Sequence, residues 1–170
     1  TVDSTITIYD GATPIGTTTV LAGGTWSFQV TQPLSEGPHA LSAIATDAAG
    51  NASSAGNFTL TIDTTPPAAP VISSAEGLVG SSTQTLINGG STKSAEPTLS
   101  GTGEPGATIT IYDNSAPIGS ALVQPNGTWT FIPDTPLLDG PHKFTATATD
   151  VAGNVGIPSA GFTLTVDNLP

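Results

Sequence analysis

The chain repeats itself, and that repeat bounds what it can fold into. Tyr9-Asp10 through Pro14-Ile15-Gly16 returns as Tyr112-Asp113 through Pro117-Ile118-Gly119. Gly24-Thr25-Trp26 returns as Gly127-Thr128-Trp129, and Gly37-Pro38-His39 as Gly140-Pro141-His142. Thr46-Asp47-Ala48-Ala49-Gly50-Asn51 returns as Thr149-Asp150-Val151-Ala152-Gly153-Asn154. The offset is 103 up to that point and 104 at Phe58 and Phe162, so the last loop of the second copy holds one more residue. About half the positions from Thr5 to Asp63 match their counterparts. A fixed period of this size means a tandem of one unit rather than one large globule.

The unit is built of strands. Ile109 and Ile111 share one face of Thr108-Ile109-Thr110-Ile111-Tyr112. In the run from His142 to Thr149, Phe144, Ala146 and Ala148 face one way and three threonines the other; Phe162 to Val166 alternates likewise. Alternation over five to eight residues marks a strand with one buried face. Threonine suits the wet face, because its β-branch fits an extended backbone. Gly, Pro, Asn and Asp punctuate the strands, as turns require. The expected class is all-β.

A period near 103 residues is the size of an immunoglobulin-like sandwich. The second copy, 64–170, is expected to be a complete domain of seven strands, A to G. These lie near 70–74, 97–102, 107–113, 117–123, 128–132, 142–149 and 161–167. The first copy, 1–63, starts close to its strand C and lacks A and B, which would leave an edge and half a core exposed. Either it was trimmed there, or another chain or copy supplies the strands. Asp63-Thr64-Thr65-Pro66-Pro67-Ala68-Ala69-Pro70 forms the junction, a short and fairly stiff linker, since proline fixes φ. Val166-Asp167-Asn168-Leu169-Pro170 resembles the start of another linker. The expectation is a fragment or mature segment of a longer array, with no signal peptide at its start.

Composition removes several functions. Two lysines and no arginine stand against 13 carboxylates, a net charge of −11. Such a chain is not expected to neutralise nucleic acid or hold an anionic membrane surface. No apolar run reaches the roughly 20 residues of a spanning helix. No cysteine is present, so there is neither a disulfide framework nor a thiolate zinc site.

The motif set resembles the bacterial Ig-like repeats of giant surface adhesins and biofilm-associated proteins exported by type I secretion. It comprises Gly103-Glu104-Pro105-Gly106-Ala107 leading into Thr108–Asp113, Asn126-Gly127-Thr128-Trp129, Asp139-Gly140-Pro141-His142 and Ala148-Thr149-Asp150-Val151-Ala152-Gly153-Asn154. The resemblance covers essentially the whole chain. It implies a rigid extracellular stalk on the bacterial surface, serving adhesion, biofilm formation or virulence, with calcium at domain junctions. It also implies neighbouring repeats of the same chain as partners, and a host-cell or biofilm ligand held by other parts of the parent protein.

Calcium wants six to eight hard oxygen ligands, and an acidic chain short of competing cations suits it. In a sandwich of this topology the chain enters at the end that carries the BC, DE and FG loops. That end should gather Glu104 of the BC loop, Asp150 and Asn154 of the FG loop, and the linker from Asp63. Asp10 and Glu36 would come to the same junction from the first domain. The expected site is Asp63, Glu104 and Asp150, completed by backbone carbonyls and Asn154. Asp47 and Asp3 would form the matching site of the first domain, although Thr1 stands where the second copy has Glu104. Asp167 would serve the next linker. The alternative stays open that Asp before Ala-Gly-Asn only shapes a turn, since Asp and Asn bond their own backbone. The repeats resembled here carry acidic residues between strands A and B; here Lys93 and the scarcity of Asp argue against a second site, leaving Glu76 and Glu96 as weaker candidates.

Other residues read as structural. Trp26 and Trp129 fall in strand E, in phase with Phe28 and Phe131, and are expected in the core. Tyr9 and Tyr112 fall out of phase with the isoleucines beside them, near the rim. His39 and His142 follow Gly-Pro at the start of strand F, near the corner where Ig-like domains often place a tyrosine to tie down the loop. No Gly-x-Ser-x-Gly elbow, phosphate loop or dinucleotide fingerprint is present, and no enzyme activity is expected. Two rival functions remain: a ligand-binding module for host glycans or self-association, and an accessory domain of a secreted polysaccharide-active enzyme.

Overall fold

The computed structural model describes residues 1–168 and divides into two compact units, Thr1–Thr64 and Thr65–Pro170. All its regular elements are strands. Among the described residues, no helix is long and apolar enough to cross a membrane.

Among the described residues, unit 2 holds nine strands: β5 (Val71–Val79), β6 (Ser82–Leu86), β7 (Gly90–Thr92), β8 (Thr98–Thr102), β9 (Thr108–Asp113), β10 (Ala116–Leu122), β11 (Thr128–Phe131), β12 (Gly140–Thr149) and β13 (Phe162–Val166). They form a five-stranded sheet in the order β10-β9-β12-β13-β7 and a four-stranded sheet in the order β11-β8-β5-β6. Alternation sends Ile109, Ile111, Phe144, Ala146 and Leu164 inward from the first sheet, each at most 1% exposed. Leu99, Ala75 and Trp129 meet them from the second, also at most 1% exposed. Burying a side chain such as Phe144 or Leu99 contributes roughly 1.5–3 kcal/mol.

Seven strands were expected here. The additions are β6 and β7, and β5 runs on to Val79. The segment between strands A and B is thus a hairpin, Val79↔Ser82, turned at Gly80, followed by a crossing into the other sheet, where β7 pairs parallel with β13. Both additions are edge strands. Ser82-Thr83-Gln84-Thr85 is polar on both faces, so it shows no period of two. Thr92 pins the crossing from a buried position: its hydroxyl donates to the Leu78 carbonyl at 2.9 Å and accepts from the Ser94 N–H at 3.0 Å.

Unit 1 is one antiparallel sheet, β2-β1-β3-β4, made of β1 (Thr5–Asp10), β2 (Thr13–Thr19), β3 (Gly37–Thr46) and β4 (Gly56–Ile62). It reproduces the β10-β9-β12-β13 half of unit 2. Residues 25–30 form no strand, contrary to the expected strand E around Trp26. In unit 2 the equivalent β11 is held by its ladder to β8, and no counterpart of β8 lies among the described residues of unit 1. Trp26 is accordingly 43% exposed, not in a core, while Trp129 is 1% exposed.

Candidate functional site

The polar residues repeated between the copies are occupied in bonding the backbone. Asp150 starts the turn after β12. Its Oδ1 accepts the N–H groups of Ala152 and Asn154, both at 2.9 Å, and its Oδ2 accepts Asn154 Nδ2 at 2.9 Å. Asp47 does the same in unit 1, with Ala49 N–H at 2.9 Å, Asn51 N–H at 2.8 Å and Asn51 Nδ2 at 2.9 Å on Oδ2. Gly50 and Gly153 take φ near +90° to close these turns. Bonds from the Asn side chain first, and from backbone N–H groups after it, hold both carboxyls below their ordinary pKa, with burial opposing. The turn-forming role of these aspartates is thus realised in both units.

Asp10 is paired with a histidine. Its Oδ2 lies 2.6 Å from His39 Nδ1, and His39 Nε2 lies 2.8 Å from the Ser35 carbonyl. Asp113 Oδ2 and the Leu138 carbonyl flank His142 in the same way, at 2.7 and 2.8 Å. Both histidines are buried. Each stitches the loop before its strand to the end of the neighbouring strand. His39 faces two acceptors, and only the imidazolium donates from both nitrogens. Its pKa is accordingly raised, first by the Ser35 carbonyl, then by the bond and charge of Asp10, against burial.

The remaining candidates scatter. Glu36 accepts the Thr64 N–H and hydroxyl at 3.0 and 2.8 Å, and Asp139 accepts the Asn168 N–H at 2.7 Å. Each ties the exit from its sheet to the preceding loop. Asp3 takes a left-handed turn, φ +63°, where unit 2 has Gly106. Glu104 and Asp167 are exposed; Asp63 and Asn154 are half-buried. Asp63 belongs to unit 1, and Glu104, Asp150 and Asn154 to unit 2. Within either unit, no group of three or more His, Cys, Asp or Glu side chains among the described residues is placed to hold a metal.

Sequence reasoning missed the Asp–His pair and the roles of Asp139 and Ser159. The Ser159 hydroxyl accepts the Ala146 N–H at 2.9 Å and donates to the Ala160 carbonyl at 2.8 Å. The signal for the Asp–His pair was present, because Asp and His recur together with the same spacing of 29.

These groups set a pH dependence. The Asp47 and Asp150 contribution is complete above about pH 4 and is lost as pH falls through their lowered values; that of His39 is complete below about pH 6.5 and fades as pH rises through its raised value. Melting temperature against pH should therefore peak between these limits. Asp150→Asn should flatten the acid limb and His39→Gln the alkaline limb. A profile that neither substitution changes would remove these groups from the balance.

The profile of the bacterial Ig-like domain matches residues 1–64 and again 71–168. Nothing among curated proteins matches the sequence. Among solved structures, a biofilm-associated protein's BSP domain is 23% identical, with a TM-score of 0.42, over 98% of this chain and 25% of its own. A tetra-tandem repeat from the extending region of a large adhesion protein is also 23% identical, with a TM-score of 0.44, over 99% of this chain and 43% of its own. The fibronectin(III)-like modules of Clostridium thermocellum CbhA are 14% identical, with a TM-score of 0.45, over 98% of this chain and 78% of theirs. The chain thus spans a quarter of the first of these proteins and under half of the second. With nearly every residue of both copies inside the family profile, the chain belongs to the bacterial Ig-like domain family.

Proposed function

We propose that this chain is a non-enzymatic spacer segment of a cell-surface adhesion protein, built from tandem Ig-like repeats. One observation carries the reading: the unit occurs twice, and the polar residues the copies share are spent on shaping it. Asp47 and Asp150 bond turns, His39 and His142 stitch loops, and Glu36 and Asp139 tie down the sheet exits. Selection for a repeatable shape leaves that pattern. The likeness to adhesion and biofilm repeats agrees with an extracellular place, with adjacent repeats as the partners in the same chain.

Calcium is part of this proposal, as the ion that neutralises the acidic residues and stiffens the array. Asp63, Glu104 and Asp150 are its proposed donors, with Asn154, and Asp10 is proposed at the same junction; Asp47 and Asp3 are proposed for the matching site of the first domain, and Asp167 for the repeat that follows. Carboxylate oxygens are the hard donors calcium takes. Asp150 is only partly suited: Oδ1 already accepts two N–H groups, and Oδ2 accepts one. A cation would share Oδ2 with Asn154. Binding to the folded state alone raises stability as RT ln(1 + [Ca²⁺]/Kd), about 1.4 kcal/mol at ten times Kd, or roughly 5 °C for a domain of this size. The expected result is such a rise between chelator and about 1–5 mM CaCl₂, lost in Asp63→Ala and Asp150→Ala. An unchanged melting temperature would remove calcium and leave the spacer reading to the stiff linker.

A further inference from the structure

Strand β6 is the one edge of unit 2 that carries no guard. An edge strand offers unpaired N–H and C=O groups to any other strand, and chains blunt such edges with proline, charge, bulges or shortness. β10 carries Pro117 and a bulge beside it. β7 has three residues, and β11 has four, with Pro133 two residues beyond its end. β6 has five residues, no charge, no proline and an unbroken register with β5. Ser82, Thr83, Gln84 and Thr85 are exposed, and among the described residues β6 pairs with β5 alone.

The hairpin fixes which backbone groups face out. Its loop is Gly80-Ser81, and of the two only Gly80 has a positive φ, +64°, as in the glycine-first two-residue turn. Such a loop closes on a hydrogen-bonded pair, here Val79 with Ser82, and bonded pairs then alternate along the ladder. Gln84 and Leu86 therefore bond inward, to Gly77 and Ala75. Thr83 and Thr85 direct their N–H and C=O groups away from β5.

We propose that this edge pairs with β6 of a second copy of the chain, antiparallel about a two-fold axis at Gln84. The segment is its own complement. Thr83 meets the second copy's Thr85, Thr85 meets its Thr83, and the two Gln84 residues face each other. Each threonine pair exchanges both of its backbone bonds, and threonine pairs and facing amides suit such cross-strand positions. One patch meeting itself across a two-fold axis closes on a dimer. Charge does not block the contact, although each copy carries −11. Glu76, on β5 opposite Thr85, lies three strand spacings, roughly 14 Å or more, from its equivalent, beyond the Debye length of about 8 Å. A single short edge makes a weak interface. It adds a lateral contact to the spacer reading without depending on it.

The test is sedimentation equilibrium of the full chain up to about 1 mM, with a reversible dimer of Kd about 0.1–1 mM as the expected result. Thr83→Pro removes an outward N–H and leaves the ladder to β5 intact, as proline on an edge does. Gln84→Lys keeps every backbone group but sets two like charges opposite each other. Each should weaken the dimer about tenfold or more. The chain has no cysteine, so a single introduced thiol reports the register. Gln84→Cys should oxidise to a covalent dimer about tenfold or more faster than Thr83→Cys. Facing non-bonded positions lie about 4.5 Å apart at Cα, within disulfide reach, whereas the Thr83 positions are diagonal, at about 7–8 Å. Three outcomes would overturn the proposal: a monomer throughout, a dimer held by another surface and unaffected by Thr83→Pro and Gln84→Lys, or equal cross-linking of the two thiol variants.

Discussion

Trp129→Ala should destabilise unit 2 by about 3–5 kcal/mol, the range for truncating a fully buried aromatic residue, whereas Trp26→Ala, at a partly exposed position, should cost unit 1 only about 1–1.5 kcal/mol. The two tryptophans sit at equivalent positions of one repeat. They differ in what covers them. Trp129 is 1% exposed, lies against Gly101, and donates its Nε1–H to the Thr102 carbonyl at 3.1 Å. Alanine there leaves a cavity between two sheets and deprives the Thr102 carbonyl of that donor. Trp26 has solvent over 43% of its surface, so its removal opens no enclosed void. Urea titrations of the two variants, followed by far-UV circular dichroism, give the comparison. Equal losses would mean that Trp26 is covered in solution.

Gly101→Val is the second large effect, with an expected loss of about 3 kcal/mol or more in unit 2, at the top of the range for overpacking. The cause is steric. Gly101 has an ordinary strand conformation, but its missing Cβ leaves room for the Val71 carbonyl on one side and the Trp129 ring on the other. The carbonyl belongs to the β5 backbone and cannot retreat without opening the β5–β8 ladder. Gly127→Ala is the informative comparison. It has φ near +80° and only the Gly103 carbonyl nearby, at 3.6 Å. Its cost should be conformational, about 1–2 kcal/mol. Chemical denaturation of both variants separates the two reasons for a glycine. A Gly101→Val chain as stable as the unsubstituted one would show that β5 and β8 part easily.

Much of this was legible from residue order. The strands β9, β12 and β13 were readable because each buries one face, and Ile109-x-Ile111 or Phe144-x-Ala146-x-Ala148 records that burial directly. β6 and β7 were not readable. Their residues are polar or small, and they became strands through neighbours, β5 and β13, far from them in the chain. Candidate site residues divided in the same way. Asp150 with Asn154 is a local motif whose turn chemistry is visible in five residues. Asp10 with His39 is a contact across 29 residues, created by the pairing of β1 with β3.

By itself the sequence determined the all-β class, the tandem organisation and the repeating unit, because alternation, turn residues and period are properties of residue order. Tertiary structure decided what each copied residue does. The same Gly-Thr-Trp leads into a paired strand with a buried tryptophan in unit 2 and into an unpaired segment with an exposed one in unit 1. A strand exists only when a partner satisfies its backbone, and a side chain is core only when something lies over it. Both conditions are set by the opposing sheet, which unit 2 has and the described part of unit 1 lacks.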